Sequence, residues 1–205
     1  MRGGQRRAEA PVAGDERDMM NQIHGNTDIF FPLNRFYETE QLSLPAMTLL
    51  KGAELPEPYR GMLDHGRDMT PTLEAFFRET VAISIIHSGR QGDSYTREVV
   101  LFTEQSRKPV AYGSIDIHLE NIMGGARTDI LSGCLPFGSI LHKHAIPHVS
   151  APSAFFKIDS DTQTQKHFCL PAPTRLYGRR NRLSTPEGLT LANIVEILAP
   201  VEQKN

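Results

Sequence analysis

The chain has 205 residues, with 22 Lys and Arg against 24 Asp and Glu, a net charge of −2. That length fits one domain plus a tail, and the near-neutral balance offers no basic field to hold nucleic acid or an anionic membrane. No apolar run approaches the roughly 18 residues of a bilayer span, and the opening "MRGGQRRAEAPVAGDERD" lacks the apolar stretch of a signal peptide. The expectation is a cytoplasmic protein with no membrane span, monomeric or dimeric.

Residues 1–20 carry almost no large apolar side chain, so ordering them would lose entropy for little burial, and a disordered extension is expected. Residues 21–55 form an N-terminal wrap: "IFFPLNRF" and "LSLPAMTLL" are apolar but cut by Pro32 and Pro45, which suits a short helix or extended segment laid on the core. The main domain spans 56–205. In "RDMTPTLEAFFRET", Thr70 can cap a helix that starts at Pro71 and runs to about residue 79, with Leu73, Phe76 and Phe77 as its apolar stripe.

The period then changes. "VAISIIHSG" (81–89), "SYTREVVLFTE" (94–104) and "PVAYGSIDIHL" (109–119) are β-branched and aromatic and read as sequential antiparallel strands, the last two joined by a hairpin turn at "QSRK". "ENIMGGARTDILSG" is weakly helical and interrupted by Gly124 and Gly125, as a flap or hinge would be. "LPFGSILHKHAI" reads as a turn leading into a strand, and "SAFFKID" and "KHFCL" as short extended pieces. The chain closes on a hairpin, "RLYGRRNRLS" and "LTLANIVEILAP", around Thr185-Pro186-Glu187-Gly188, with Gly188 where a positive φ is wanted. The sum is an α+β domain, an antiparallel sheet of about six strands with helices on one face and at its edges.

Two charges sit where apolar residues are expected. Strand alternation puts Tyr95, Arg97, Val99 and Leu101 on one face and Thr96, Glu98 and Val100 on the other, so Arg97 shares a face with core residues. A buried guanidinium requires an anionic partner, either an internal acid or a ligand carboxylate. Glu196 lies in a strand apolar on both faces. A bulged type I turn at Gly188 sets Glu196 across from Gly178 and diagonal to Arg180. The bland alternative is a structural Glu196–Arg180 pair, and a slipped register would place the acid opposite Tyr177 or Leu176; the pattern leaves these open.

"YGRRNRL" followed by "ANIVEILAP" resembles the closing hairpin of chorismate pyruvate-lyases, the 4-hydroxybenzoate synthetase family. "RDMTPTLE" is similar to that family's Met-Thr helix start, "YTREVVL" to its Arg-Glu strand, and "LPFGSIL" to its Pro-Leu-Gly turn, with Phe137 in place of Leu. The four segments occur in the family's order across about 60–200; residues 1 to about 55 are not covered. The resemblance implies an antiparallel sheet with helical flaps over an enclosed aromatic-acid site and a cofactor-free lyase that turns chorismate into 4-hydroxybenzoate and pyruvate, feeding ubiquinone or other aromatic metabolism. It implies that Arg97 binds a ligand carboxylate, that Glu196 meets the ring's 4-oxygen, and that backbone amides near Met69, Phe137 and Gly138 add hydrogen bonds.

Arg97 offers the planar fork that grips a carboxylate in two bonds. Glu196 in apolar surroundings is expected to hold its proton and to donate toward the departing ether oxygen. Of Arg179, Arg180 and Arg182, alternation sends Arg180 and Arg182 one way and Arg179 the other; Arg180 is the expected inward residue, available to a second carboxylate. The alternatives are a non-catalytic aromatic-acid sensor of the same fold, or a lyase that makes a different hydroxybenzoate isomer.

Other signals point less far. His142 and His144 on one strand face, with His148 beyond, could ligate zinc, but three imidazoles without a clear carboxylate or thiolate partner fit a solvated edge better, and no metal is expected. Cys134 and Cys169, outside any C-x-x-C spacing, read as small buried hydrophobes in a reducing compartment, with a disulfide between them left open.

Overall fold

The computed structural model describes residues 29–201, so the extension expected over 1–20 lies outside the described residues, as does the start of the wrap. Helix α1 (Leu33–Thr39) and strand β1 (Met47–Leu50) make up the wrap, followed by α2 (Tyr59–Leu63) and α3 (Met69–Phe77). Then come β2 (Val81–Gln91), β3 (Ser94–Thr103) and β4 (Pro109–His118), α4 (Gly125–Ser132), α5 (Phe137–Lys143), β5 (Val149–Asp159), α6 (Thr162–Phe168), and the closing pair β6 (Arg175–Ser184) and β7 (Thr190–Leu198). All strands pair antiparallel in one seven-stranded sheet, in the order β1-β5-β6-β7-β4-β3-β2. The α+β class and the antiparallel sheet are as the sequence predicts; the added strand is β1 at the edge.

Both faces of the sheet are covered. On one, α2 to α5 pack over Ile115, Leu183 and Leu198. On the other, α1 and α6 bury Leu33, Tyr37 and Phe168 against Val100, Tyr112, Val195 and Ile197. The sequence suggested helices on one face and at the edges; the wrap and α6 supply a second layer, which is why β4 and β7 are apolar on both sides.

Four local expectations change, each for a visible reason. Helix α3 starts at Met69, with Asp68 rather than Thr70 in the capping position, and Pro71 sits in the first turn, where a missing N–H breaks no intrahelical bond. "LPFGSILHKHAI" is helical, with Phe137, Ile140 and Leu141 at i, i+3 and i+4 facing the core, so His142 and His144 are not on a strand face. "KHFCL" belongs to α6: the Asp161 side chain accepts the Thr164 N–H at 2.9 Å, and Phe168 fills the core. Cys134 and Cys169 are exposed free thiols rather than buried ones, since one lies in the turn before α5 and the other ends α6.

The closing turn forms as the residues dictate, with Thr185 N–H bonded to the Leu189 carbonyl and Gly188 at φ 93°. An irregularity follows at once: Ser184 pairs with Thr190 but Leu183 pairs with Ala192, which leaves Leu191 as an extra residue. The remaining register shifts by one, so Glu196 faces Arg179 rather than Gly178. On its other side Glu196 faces Gly113, where a side chain would press into the Val195 backbone carbonyl. Gly113→Ala should therefore cost about 2 kcal/mol and lower Tm by roughly 4–8 °C in a thermal melt, since strand backbone rather than a movable side chain stands in the way.

Candidate functional site

A cavity of about 80 Å³ lies between the sheet and the starts of α3 and α5. Its floor carries Arg97, Val99, Ile115, Asn181, Ile194 and Glu196; its wall is Asp68, Met69 and Thr70 from the start of α3, with Pro136, Phe137 and Gly138 from the start of α5. The two helix starts touch, a Cβ on Gly138 falling 3.5 Å from the Thr70 hydroxyl, so a larger residue there would press on the wall. Arg97, Glu196, Met69, Phe137 and Gly138, chosen from four separate segments of sequence, thus meet at one cavity.

Arg97 is the decisive member. It is 0 % exposed, and among the described residues its Nε, Nη1 and Nη2 have no hydrogen-bond partner. The Tyr95 ring centroid lies 5.8 Å from its guanidinium carbon, which is weak compensation. Burial pushes its pKa down to about 10, slightly offset by Tyr95. A folded pKa below the ordinary guanidinium value means the folded state is disfavoured wherever the guanidinium must stay charged, that is, at every pH below about 10, and the penalty fades only above it. Desolvating a cation and supplying no anion costs several kcal/mol.

Glu196 does not stand alone as the sequence suggested. Arg179 Nε donates to its Oε2 at 2.6 Å, and Arg179 is itself 0 % exposed. The expectation of an isolated acid is therefore corrected: its partner is a buried guanidinium. The expected inward residue is corrected as well. Arg179, paired with Glu196, shares its face, whereas Arg180, paired with Val195, belongs to the opposite face and does not line the cavity. The bulge after Ser184 makes the difference, because a one-residue shift exchanges the faces. Asn181, 2 % exposed, is the polar floor residue the sequence did not reveal; its Nδ2 donates to Ser150 Oγ at 3.0 Å. A correct register was the only signal that could have found it.

The three histidines separate. His148 Nε2 lies 2.9 Å and His142 Nε2 3.3 Å from Asp68 Oδ2, while His144 pairs with Asp129 at 2.7 Å. Asp68 and His148 thus pin the start of α3 to the approach to β5. Among the described residues, the one cluster with metal-like spacing is Glu40, His87 and Glu98, on the far face of the sheet. There Tyr112 donates to Glu98 at 2.5 Å and His87 Nδ1 lies 2.7 Å from it, a hydrogen-bonded arrangement complete in itself.

No protein-family model and no curated protein matches the chain. Solved structures similar to it include a possible transcriptional regulator, YydK of Bacillus subtilis, at 11% identity and TM-score 0.47, covering 61% of this chain and 63% of that one. The effector domain of PhnF from Mycobacterium smegmatis is similar at 9% identity and TM-score 0.49, covering 64% and 88%. A GntR-family regulator from Bacillus cereus follows at 15% and 0.44, covering 61% and 96%. Likenesses this distant leave ligand and activity to be argued from the cavity. Among the described residues no helix is long and apolar enough to cross a membrane.

Because Arg97 carries an unmet cost in the empty protein, Arg97→Met should raise the Tm of the ligand-free chain, by an amount on the order of 1–3 kcal/mol in stability, measured by calorimetry. An unchanged or lower Tm would mean that Arg97 has a partner in solution.

Proposed function

We propose that this chain binds a compact ring-bearing carboxylate in the cavity, with the carboxylate on Arg97 and the far end of the ring toward Glu196. The observation that carries this is the wholly buried guanidinium with all three nitrogens unpaired at a mostly apolar cavity. Apolar floor residues such as Val99 and Ile194 suit the faces of a ring, and Glu196 offers an oxygen acceptor to a ring hydroxyl. Residues that match four motifs of the chorismate pyruvate-lyase family also meet here, which supports 4-hydroxybenzoate and chorismate as the ligands to try.

Two consequences of binding differ in what they demand. A sensor of aromatic acids, in keeping with the regulators named above, needs only the anchored carboxylate and the enclosed ring. A lyase must also remove a ring proton, break the ether bond so that the ring becomes aromatic, and return a proton to the departing enolpyruvate. Arg97 would fix the ring carboxylate and Glu196 would stand at the oxygen end. With Glu196 held by Arg179 and Arg180 on the other face, a second carboxylate finds no further cation on the cavity floor, so binding is the better supported of the two.

Titration calorimetry with 4-hydroxybenzoate should show one site per chain, and Arg97→Met should weaken it about a hundredfold or more, as loss of a buried charge partner does; no binding by the unaltered chain would end the proposal. Incubation with chorismate then separates the readings. Pyruvate released above the background rate, and lowered about a hundredfold in Glu196→Gln, assigns the lyase; binding without pyruvate assigns the sensor.

A further inference from the structure

We propose that Arg179 is a positioning residue that ties the wall of the cavity to its acid, so that the wall cannot lift without re-aiming Glu196. The tie follows from geometry alone; that the acid faces a ligand rests on the binding reading above. Arg179 directs Nε to Glu196 at 2.6 Å, Nη1 to the Leu63 and His65 carbonyls at 3.0 and 3.1 Å, and Nη2 to the Arg67 carbonyl at 3.5 Å. Leu63 ends α2, and carbonyls at a helix end have no partner within the helix. The segment from Asp64 to Asp68 has no helix or strand of its own and leads straight into Met69 and Thr70, the wall. One guanidinium therefore serves the floor acid, the last carbonyl of α2 and two carbonyls of the segment at once.

The other attachments of this segment cluster at its far end: Asp68 is held by His148 and His142, Thr72 Oγ1 donates to the Asp68 carbonyl at 2.8 Å, and Ser150 Oγ donates to the Arg67 carbonyl at 3.4 Å. His65 joins the same cluster: burial, with Arg179 and Arg67 beside it, pushes its pKa down, so its ring brings no competing charge. If the segment rises, Arg179 loses the His65 and Arg67 carbonyls and keeps only the end of α2 and Glu196, whose carboxylate is then free to shift with it. A closed wall and an acid aimed at the cavity are thus one state.

Only arginine can do this. A lysine could still pair with Glu196, but its single ammonium has no fork with which to reach acceptors on two sides. In Arg179→Lys, hydrogen exchange read by mass spectrometry on the ligand-free full chain should speed about tenfold or more over residues 63–70, as loss of one or two hydrogen bonds predicts, with β3 and β4 unchanged. Stopped-flow mixing with 4-hydroxybenzoate should show association and dissociation both faster by a similar factor. Unchanged exchange over 63–70, or an equal rise throughout the chain, would overturn the proposal. The exchange experiment stands even if no ligand binds, so failure of the binding reading is seen separately. Should Arg179→Lys fail to fold, exchange in the unaltered chain decides: opening of 63–68 that is independent of sub-denaturing urea supports a local gate, and exchange only through global unfolding refutes it.

Discussion

A cation in the interior with nothing to hold organises this molecule. Placing Arg97 at zero exposure without an acceptor works against folding, and the rest of the chain offsets that cost with a sheet covered on both faces. The sheet order explains how the site stays rigid despite it. Arg97 lies on β3 and Glu196 on β7, with β4 hydrogen-bonded between them, so their spacing is set by strand pairing rather than by a loop. A site fixed in this way loses little entropy when its ligand arrives.

The second charge is arranged on the opposite principle. Arg179 is as buried as Arg97 but has a partner at every nitrogen, donating to an acid and to three carbonyls. Side by side, the two arginines show what burial asks of a guanidinium and what it means when the request goes unmet. The paired one is structural and connects floor to wall; the unpaired one finds no acceptor among the described residues. His142 and His148 both meet Asp68 at the start of α3.

The far face belongs to a different set of groups. Tyr37 donates to Asp161 at 2.6 Å and Tyr112 to Glu98, and burial raises the pKa of both phenols, keeping them neutral donors. Glu98 follows Arg97 directly in the chain yet points the other way, so adjacent opposite charges never meet. That separation is what leaves Arg97 without Glu98 as a partner.

Much of this was legible in the residues. The β2–β4 strands, the closing hairpin and the inward face of Arg97 follow from period-two alternation, which depends only on backbone geometry. The cavity residues Met69, Phe137, Gly138 and Glu196 were found from short motifs, each too local to show that they meet. What the sequence did not decide was which arginine of "GRRNR" turns inward, since an extra residue at Leu191 reverses the faces of β6 and no composition signals it. Nor could it show that α5 and α6 are helices rather than extended pieces, although the apolar spacing of Phe137, Ile140 and Leu141 and the Asp161 cap were present. Alternation and turn chemistry act between near neighbours and are fixed by the sequence itself; register across a bulge, and the partner a buried charge does or does not find, depend on residues a hundred positions apart and were settled only when the sheet closed.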